Sequence, residues 1–223
     1  MDVPSTMPAE SVEDGDIAAD HPRERRGYTV LTHALVALVT LAVGLAVGFL
    51  ATRPSHPGDD SAEAGFLRDM ATHHGQAVDM GMIAYANATL PEVRSLGLDI
   101  GLTQHGQVNI MQTWLREWGL NPNGSRPPMA WMPDGEESLQ DGLMPGMATQ
   151  EQMEELRRAD GKQVDILFLT LMRQHHLGGI HMAQEIVEIS DDDDVKWLAQ
   201  TMVETQQSEM NVLADLLKQA QAA

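Results

Sequence analysis

Residues 66–80 read FLRDMATHHGQAVDM, and residues 168–182 read FLTLMRQHHLGGIHM. These stretches open two copies of a 52-residue segment, residues 66–117 and 168–219, which align without a gap at an offset of 102 positions. Only 12 of the 52 positions are identical, and they include a His-His pair with one methionine three residues before it and another six residues after it. Because imidazole and thioether groups are both metal ligands, the duplication suggests two half-sites that face each other.

The composition narrows the classes of function. The chain has 223 residues, enough for one ordinary domain plus attachments, and a formal net charge of −19. Such an acidic chain has no basic stripe for phosphates, so we expect it to attract cations and to bind no nucleic acid. It has no cysteine, which excludes disulfides, thiolate metal sites and a thiol nucleophile. Copper or zinc would therefore bind through His, Met, Asp or Glu.

A candidate membrane span lies near the N-terminus. Residues 28–51 carry no charged side chain and, at ~1.5 Å per residue in a helix, are long enough to cross a bilayer. Three arginines within residues 23–26 precede the span, and only Arg53 follows it closely, so the positive-inside rule places the N-terminus in the cytoplasm. The span is longer than the apolar run of a cleaved signal peptide, which favours an uncleaved signal anchor. Residues 1–27 are predicted to be a disordered cytoplasmic tail.

The outer domain, residues 62–221, has the sequence character of helices throughout. Aromatic and β-branched runs are scarce, and no stretch alternates as a strand does. Ser61 is a candidate N-cap, Pro91 opens a second helix, and Thr149 begins a capping box. After a linker at 52–61, the predicted helices run from about Ser61 to Asn87, Pro91 to Trp118, Thr149 to Ser190 and Asp191 to Gln219, with a long Gly- and Pro-rich loop at 119–148. We therefore predict an all-α fold, a four-helix bundle of two repeated helical hairpins preceded by one transmembrane helix.

Helical periodicity places the repeated motif on the inner faces of the first and third helices. His73 and His175 share the apolar stripe of their helices, so we expect both rings to point at the core. His74 and His176 lie about 100° further round, on the flank. The candidate metal ligands of these two helices are Met70, His73, His74, Met80, Met172, His175, His176 and Met182.

Polar side chains occupy inner positions of the second and fourth helices. Gln104 and Gln107 lie on the inner stripe of the second helix, and Gln206 and Glu209 lie at the matching positions of the fourth. A buried amide or carboxylate without a partner costs about 1–3 kcal/mol, so we expect these groups to contact the inward histidines or a cation held by them. Glu209 is the clearest inward carboxylate and completes the candidate metal set.

Two interpretations of the histidine pairs are open. They are metal ligands, which the repeated spacing favours, or their hydrogen bonds to Gln and Glu only fix the register of the bundle. A Met/His donor set favours copper, particularly Cu(I), over iron or zinc, although another divalent metal is an alternative. A ferritin-like di-iron site would need Glu-x-x-His pairs, and here Met70 and Met172 stand at the Glu positions.

Other histidines and methionines are weaker candidates. His181 is expected on the solvent side, His105 lies about one step from the inner stripe, and His56 has no visible partner in the linker. The loop side chains are expected to form an apolar plug over the bundle rather than a copper site. They are Met129, Trp131, Met132, Met144 and Met147.

The segments FLRDMATHHGQAVDM and FLTLMRQHHLGGIHMA, and the approach GMATQEQMEELRRADGKQVDILFL, resemble the DUF305 family. The resemblance covers residues 61–219 and implies a secreted or membrane-anchored bacterial protein with a ferritin-like four-helix bundle. Some members are similar to periplasmic copper-binding proteins, which implies Met/His copper sites at the eight residues of the first and third helices. Gln107 stands where the family often has Glu, whereas Glu209 retains it.

The sequence thus favours a single-pass protein of a bacterial cell membrane whose extracytoplasmic bundle buffers copper or hands it over, without catalysing a reaction. Its expected partners are the metal ion, the membrane, and a second copy of the chain or a metal-accepting protein. A ferritin-like metal oxidase is one alternative, and the shortage of inward carboxylates weighs against it. A metal-free helical interaction module is the other.

Overall fold

The computed structural model describes residues 23–51 and 56–222. The chain divides into two compact units, one ending at Ser55 and the other beginning at His56. The helices are α1 (Arg23–Ala51) in the first unit, and α2 (Ala62–Asn87), α3 (Pro91–Glu117), α4 (Gln150–Arg158), α5 (Lys162–Ile189) and α6 (Asp193–Ala222) in the second, with a short 3-10 helix at Gly135–Ser138. Within these ranges the only extended pairing is a single bridge between Gln140 and Leu143, so the predicted all-α fold is confirmed.

Helix α1 carries the predicted apolar span. Its segment Tyr28–Phe49 has 22 residues and a mean hydropathy of 2.3. By length and composition it could cross a membrane, and a signal sequence has the same character. The helix begins at Arg23, upstream of the apolar run. Residues 23–27, predicted to be part of the disordered tail, are therefore helical. The rest of that tail, residues 1–22, and residues 52–55 of the linker lie outside the described residues.

Local sequence signals set the helix ends of the bundle as predicted. The side chain of Ser61 accepts a hydrogen bond from the main-chain N–H of Ala64 at the start of α2. Pro91 is the first residue of α3, where its missing N–H is not needed. Thr149 and Gln152 form the predicted capping box, in which each side chain accepts from the main-chain N–H of the other residue. These caps satisfy N–H groups that the first helical turn leaves unpaired.

One helix boundary was predicted wrongly. The third helix, expected from Thr149 to Ser190, is two helices, α4 and α5. The break lies at Gly161, whose φ of 53° and ψ of −139° form a conformation that suits a residue without a side chain. The glycine turns the chain, and α5 is therefore a separate helix that begins shortly before the second copy of the repeat.

The two hairpins, α2–α3 and α5–α6, meet where α2 packs against α5. A carboxylate at the start of each hairpin binds the turn of the other. Asp165 accepts hydrogen bonds from the main-chain N–H of Thr89 at 3.1 Å and from its hydroxyl group. Glu63, 102 positions earlier, accepts from the hydroxyl of Ser190 at 2.8 Å and from the N–H of Asp191 at 3.3 Å. These matching contacts show that α2 and α5 are antiparallel and that an approximate twofold axis relates the hairpins.

A polar layer divides the core into two apolar clusters. The Phe66 cluster includes Leu67, Met70, Met111, Leu115, Met182 and Met202, and the Phe168 cluster includes Met80, Ile100, Leu169, Met172 and Leu213. Each of the helices α2, α3, α5 and α6 contributes to both clusters and carries polar residues between the two contributions. These residues form what we call the histidine layer: His73, His74, Gln104, Gln107, His175, His176, Gln206 and Glu209.

Candidate metal centre

All four histidines of the two pairs are fully buried. The burial of His73 and His175 confirms the prediction from helical periodicity. His74 and His176, predicted on the flank of their helices, are equally buried because α3 and α6 cover that flank and place polar side chains against both rings. The layer therefore contains four imidazoles shielded from solvent.

The two repeats meet at His73 and His175. Their ring centroids lie 3.8 Å apart, and the ring planes are tilted by 32°. Nε2 of His175 donates a hydrogen bond to the main-chain oxygen of His73 at 3.0 Å, and Nε2 of His73 donates to the main-chain oxygen of Pro145 at 3.1 Å. The central pair therefore lies face to face across the contact between the hairpins.

Each outer histidine has a partner on the following helix. Nε2 of His74 lies 2.8 Å from Oε1 of Gln107, and Nε2 of His176 lies 2.6 Å from Oε2 of Glu209. Polar side chains of α3 and α6 thus contact His74 and His176. The sequence predicted contacts with the inward His73 and His175, whose Nε2 atoms bind main-chain oxygens instead. The two halves differ chemically, since an amide supports the ring in the first half and a carboxyl group supports it in the second. Glu209, predicted as a ligand, contacts the His176 ring.

The hydrogen bonds determine where the imidazole protons lie. Carbonyl and carboxylate oxygens only accept, so each Nε2 carries its proton and donates it. In a neutral ring with this tautomer, Nδ1 is an acceptor with a free lone pair, and all four Nδ1 atoms are buried without a hydrogen-bond partner. Oε1 of Gln104 and Oε1 of Gln206 are also buried without a hydrogen-bond partner. One such acceptor costs about 1–3 kcal/mol when it is left unpaired.

Burial keeps three of these rings neutral, those of His73, His74 and His175. Desolvation lowers the pKa of His73 to about 4 and the pKa of His74 to about 3, from an ordinary value of 6.5. Desolvation and the neighbouring His73 ring hold the pKa of His175 well below its ordinary value. Neutral imidazole is the form that binds metal ions, so at neutral pH no proton competes for the lone pairs of these three rings.

The four predicted methionines lie on both sides of the layer. Met70 and Met182 belong to the Phe66 cluster, and Met80 and Met172 belong to the Phe168 cluster. Because α2 and α5 are antiparallel, each side receives one methionine from each repeat. All four side chains are fully buried, so two of these thioether groups lie in the apolar cluster on each side of the layer.

A segment of the long loop, residues 144–148, forms a strap that joins α2 to α5. Gln76 exchanges two hydrogen bonds with the main chain of Ala148, at 2.9 Å and 2.7 Å. On α5, a Cβ atom at Gly178 would lie 1.8 Å from the main-chain oxygen of Pro145, so only glycine permits this approach. The same oxygen accepts the hydrogen bond of the central His73 ring, and the strap therefore fixes part of the layer.

The role of the strap is absent from the sequence-based prediction. The signal that could have revealed it is a difference between the copies, since Gly178 and Gly179 stand where the first copy has Gln76 and Ala77. Two glycines inside a helix suggest a close approach of another chain segment. Nothing in the motif identifies Pro145 as that segment.

The donor set limits the kind of metal site that these residues could form. Among the described residues, no group of three or more His, Asp or Glu side chains is arranged to hold a metal ion. A site in the layer would therefore combine imidazole nitrogen with thioether sulfur, or with the amide oxygens of Gln104 and Gln206. Imidazole with thioether suits copper better than iron or zinc.

The weaker candidates lie away from the layer. His105 and His181 are exposed. His56, expected to lack a partner, stacks on Trp118 with ring centroids 6.2 Å apart. The loop side chains Met129, Trp131 and Met144 are buried in the Phe66 cluster, with Met132 and Met147 packed against it, as expected of an apolar plug.

Comparison with solved structures supports the fold. A DUF305 protein of Streptomyces coelicolor is 45% identical over 73% of this chain and 96% of its own, with a TM-score of 0.67. A DUF305 fragment of Deinococcus radiodurans is 29% identical over 74% of this chain and 99% of its own, with a TM-score of 0.61. CopM in its Cu(I)-bound form is 21% identical over 74% of this chain and 98% of its own, with a TM-score of 0.55, a likeness that shows the shared fold alone.

No curated protein shows significant similarity to the chain. The family described as a domain of unknown function, DUF305, matches residues 63–217, which include nearly all of both hairpins and the whole histidine layer. The chain therefore belongs to the DUF305 family.

Proposed function

We propose that this protein binds copper in the histidine layer and buffers it or hands it over outside the cytoplasm. The observation that carries the proposal is the set of four buried Nδ1 atoms without a partner, each on a ring whose Nε2 is held by an oxygen. Histidines that bind metal commonly donate their other N–H to a carbonyl or carboxylate oxygen, which fixes the tautomer and the ring orientation. The layer has this arrangement four times.

The proposed ligands are the imidazoles of both pairs and the bordering thioethers. They are His73, His74, His175, His176, Met70, Met80, Met172 and Met182, with Glu209 supporting the His176 ring. Imidazole and thioether ligands bind metal in their uncharged forms, and their buried setting favours the singly charged Cu(I) over a dication. CopM, which shares the fold, is known in Cu(I)-bound, Cu(II)-bound and silver-bound forms, which supports copper as the metal.

Storage or transfer suits the layer better than catalysis. A metal oxidase needs open coordination positions that oxygen and substrate can reach. The four rings are fully buried, and Glu209 is the one carboxyl group among the eight residues of the layer. These features favour holding an ion over turning a substrate over.

Helix α1 is proposed to anchor the bundle to a bacterial cell membrane. The apolar segment Tyr28–Phe49 has the length and hydropathy for one span. The arginines at 23–26 outnumber the single Arg53 after the span, and by the positive-inside rule this excess supports a cytoplasmic N-terminus and an extracytoplasmic bundle. In that compartment a thioether site would not compete with cytosolic thiols for Cu(I). Protease accessibility of the bundle in intact cells would test this orientation.

Copper binding is tested with the full-length protein, purified in detergent without a histidine tag. We expect Cu(I) to raise the thermal unfolding temperature, because a ligand that binds only the folded state stabilises it. Replacement of His73, His74, His175 and His176 by Ala should abolish the shift. The control is the double variant His105→Ala/His181→Ala, which removes two exposed imidazoles and should keep it.

Oxygen consumption and the unfolding temperature together separate the alternatives. An oxidase would consume oxygen continuously when supplied with Cu(I) or Fe(II), whereas a storage protein would not. A metal-free interaction module would show the same unfolding temperature with and without copper. Either outcome would refute the proposal.

A further inference from the structure

The methionines of the bundle are concentrated on one side of the histidine layer. The Phe66 cluster contains six buried methionines, and Met132 and Met147 pack against it; the Phe168 cluster contains three. The six are Met70, Met111, Met129, Met144, Met182 and Met202, and the three are Met80, Met153 and Met172. Met70 and Met182 have counterparts in the other cluster, and the remaining four have none that is a methionine.

The internal duplication provides a control for the ordinary role of methionine as a core filler. Met111 and Met202 line the Phe66 cluster from α3 and α6, and the positions 102 residues away line the Phe168 cluster from the same two helices. Those positions hold Leu213 and Ile100. Since leucine and isoleucine fill equivalent places at one end of the core, packing alone does not require methionine at the other end.

The loop adds two further methionines to the same cluster, and one is held at a conformational cost. Met129 has a φ of 65°, in the left-handed region that costs a residue with a side chain about 1–2 kcal/mol. Its N–H donates to Oδ2 of Asp69 at 2.7 Å, and the same oxygen accepts from Nε1 of Trp131 at 2.9 Å. A Cβ atom at Gly135 would lie 2.1 Å from the main-chain oxygen of Met129. The loop is thus built to insert this side chain into the core.

We propose that the Phe66 cluster holds a second metal site, for a soft monovalent ion such as Cu(I) or Ag(I), bound by thioether sulfur. Its own ligands are Met111, Met129, Met144 and Met202. Met70 and Met182 belong to the same cluster and are also proposed ligands of the histidine layer. A thioether is neutral and apolar, so the cluster stays packed without metal, and its sulfur atoms prefer soft ions to Zn²⁺ or Mg²⁺.

Methionine methyl groups report on such a site directly. We would add Ag(I) to metal-free, full-length protein in detergent, labelled with ¹³C at the methionine methyl groups, and assign signals with single Met→Leu variants. The four ligand methyl signals should shift, and Met153, a buried methionine of the Phe168 cluster, should not. Unchanged signals from the four ligands in the wild-type protein would overturn the proposal, whatever the variants do.

A paired substitution tests the site independently. The variant Met111→Leu/Met202→Ile copies the residues that the opposite cluster uses, so the side-chain volume is nearly conserved. It should lose about one bound Ag(I) per chain, together with the shifts of Met129 and Met144. The control Met153→Leu should keep both. Equal silver binding by the paired variant and the wild-type protein would refute the sulfur site.

The two proposed metal sites can be refuted separately. The variant without the four layer histidines should still show silver-induced shifts at Met111 and Met129. Loss of all shifts in that folded variant would mean that the methionines serve the histidine layer only, which refutes the second site and leaves the first standing. If instead the variant without the four histidines keeps the silver-induced shifts and also binds as much Cu(I) as the wild type, the histidine site is refuted and the sulfur site stands.

Discussion

Nε2 of His175 lies 3.0 Å from the main-chain oxygen of His73, the residue that occupies the same position in the first repeat. The reverse contact does not form, because Nε2 of His73 binds the main-chain oxygen of Pro145 instead. The strap therefore breaks the twofold symmetry at the centre of the layer. It makes the two equivalent imidazoles different, and the difference depends on one glycine of α5.

Substitution of Gly178 by Ala should displace the strap. The new Cβ atom would lie 1.8 Å from the oxygen and 2.3 Å from the carbonyl carbon of Pro145, both main-chain atoms that cannot move without the loop. We expect the free energy of unfolding to fall by about 1–3 kcal/mol, as for other overpacked sites. His73 would also lose its acceptor, so its NMR signals should change. Denaturant unfolding and ring ¹H–¹⁵N spectra would measure the two effects.

Gly75 provides the matched control for this substitution. It follows the first His-His pair in α2, and a Cβ atom there would meet nothing within 4 Å. Gly75→Ala should therefore stabilise the protein by about 0.5–1 kcal/mol, since alanine is the better helix former. Equal effects of the two substitutions would show that the strap does not pack on α5 as described.

The buried histidines should make the metal-free protein sensitive to mild acid. The pKa of His73 is lowered to about 4 and that of His74 to about 3, against an ordinary 6.5 in the unfolded chain. Between pH 6.5 and about 4 the unfolded state binds more protons than the folded state, so stability should fall as the pH falls through this window. Above pH 6.5 both states are neutral at these rings, and they contribute no slope.

Denaturant unfolding at a series of pH values would measure this slope. The variant His74→Gln removes one buried titrating ring and should have a shallower slope in the same window. The remaining acidic groups are common to both proteins, so the comparison isolates the ring. Identical slopes would mean that His74 is not buried as a neutral imidazole.

Asp165 should contribute more to stability than an ordinary surface carboxylate. It is 1% exposed and accepts hydrogen bonds from the main-chain N–H groups of Thr89 and Leu90 in the other hairpin. Asp165→Ala leaves these donors unpaired, and we expect a loss of about 1–3 kcal/mol in the free energy of unfolding. Asp99, exposed in α3, is the control, and Asp99→Ala should stay within about 0.5 kcal/mol of the wild type. Comparable losses for both variants would contradict the cross-repeat contact.

The sequence predicted most of the fold because its signals are local. Ser61, Pro91 and Thr149 act within one helical turn, and the stripes that carry His73 and His175 follow from helical periodicity. The break at Gly161 was missed because a single glycine in a helical pattern is often tolerated.

The contacts of the candidate site were predicted less completely, because they depend on long-range approach. The sequence indicated that Gln107 faces the histidines, but it assigned the inward His73 and His175 as partners, and Gln107 pairs with His74 instead. The acceptor of His73 is the main chain of Pro145, 72 positions away, and main-chain atoms leave no chemical signature in a sequence. The Asp69 contacts that hold Met129 and Trp131 were missed for a similar reason, since only the folded loop brings them together.

Glu209 should tune the copper affinity of the histidine layer, if the layer binds copper as proposed. It supports the His176 ring at 2.6 Å, where Gln107 supports the His74 ring at 2.8 Å. A carboxylate makes the ring a stronger donor than an amide does, so Glu209→Gln should weaken Cu(I) binding by about 10–100-fold. The metal-free protein should fold normally, because the His74–Gln107 contact shows that the bundle accommodates an amide at this place.

Competition with a chromogenic Cu(I) chelator would measure this affinity. The reciprocal variant Gln107→Glu is the matched comparison, because it gives the first half of the layer the carboxylate of the second, and it should bind Cu(I) more tightly than the wild type. The double variant that exchanges the two residues should restore an intermediate affinity. One result would contradict this role: Glu209→Gln binds Cu(I) as tightly as the wild type, while the four-histidine variant loses binding. The carboxylate would then support the fold and not the metal, and the two halves of the layer would be equivalent in function despite their difference in charge.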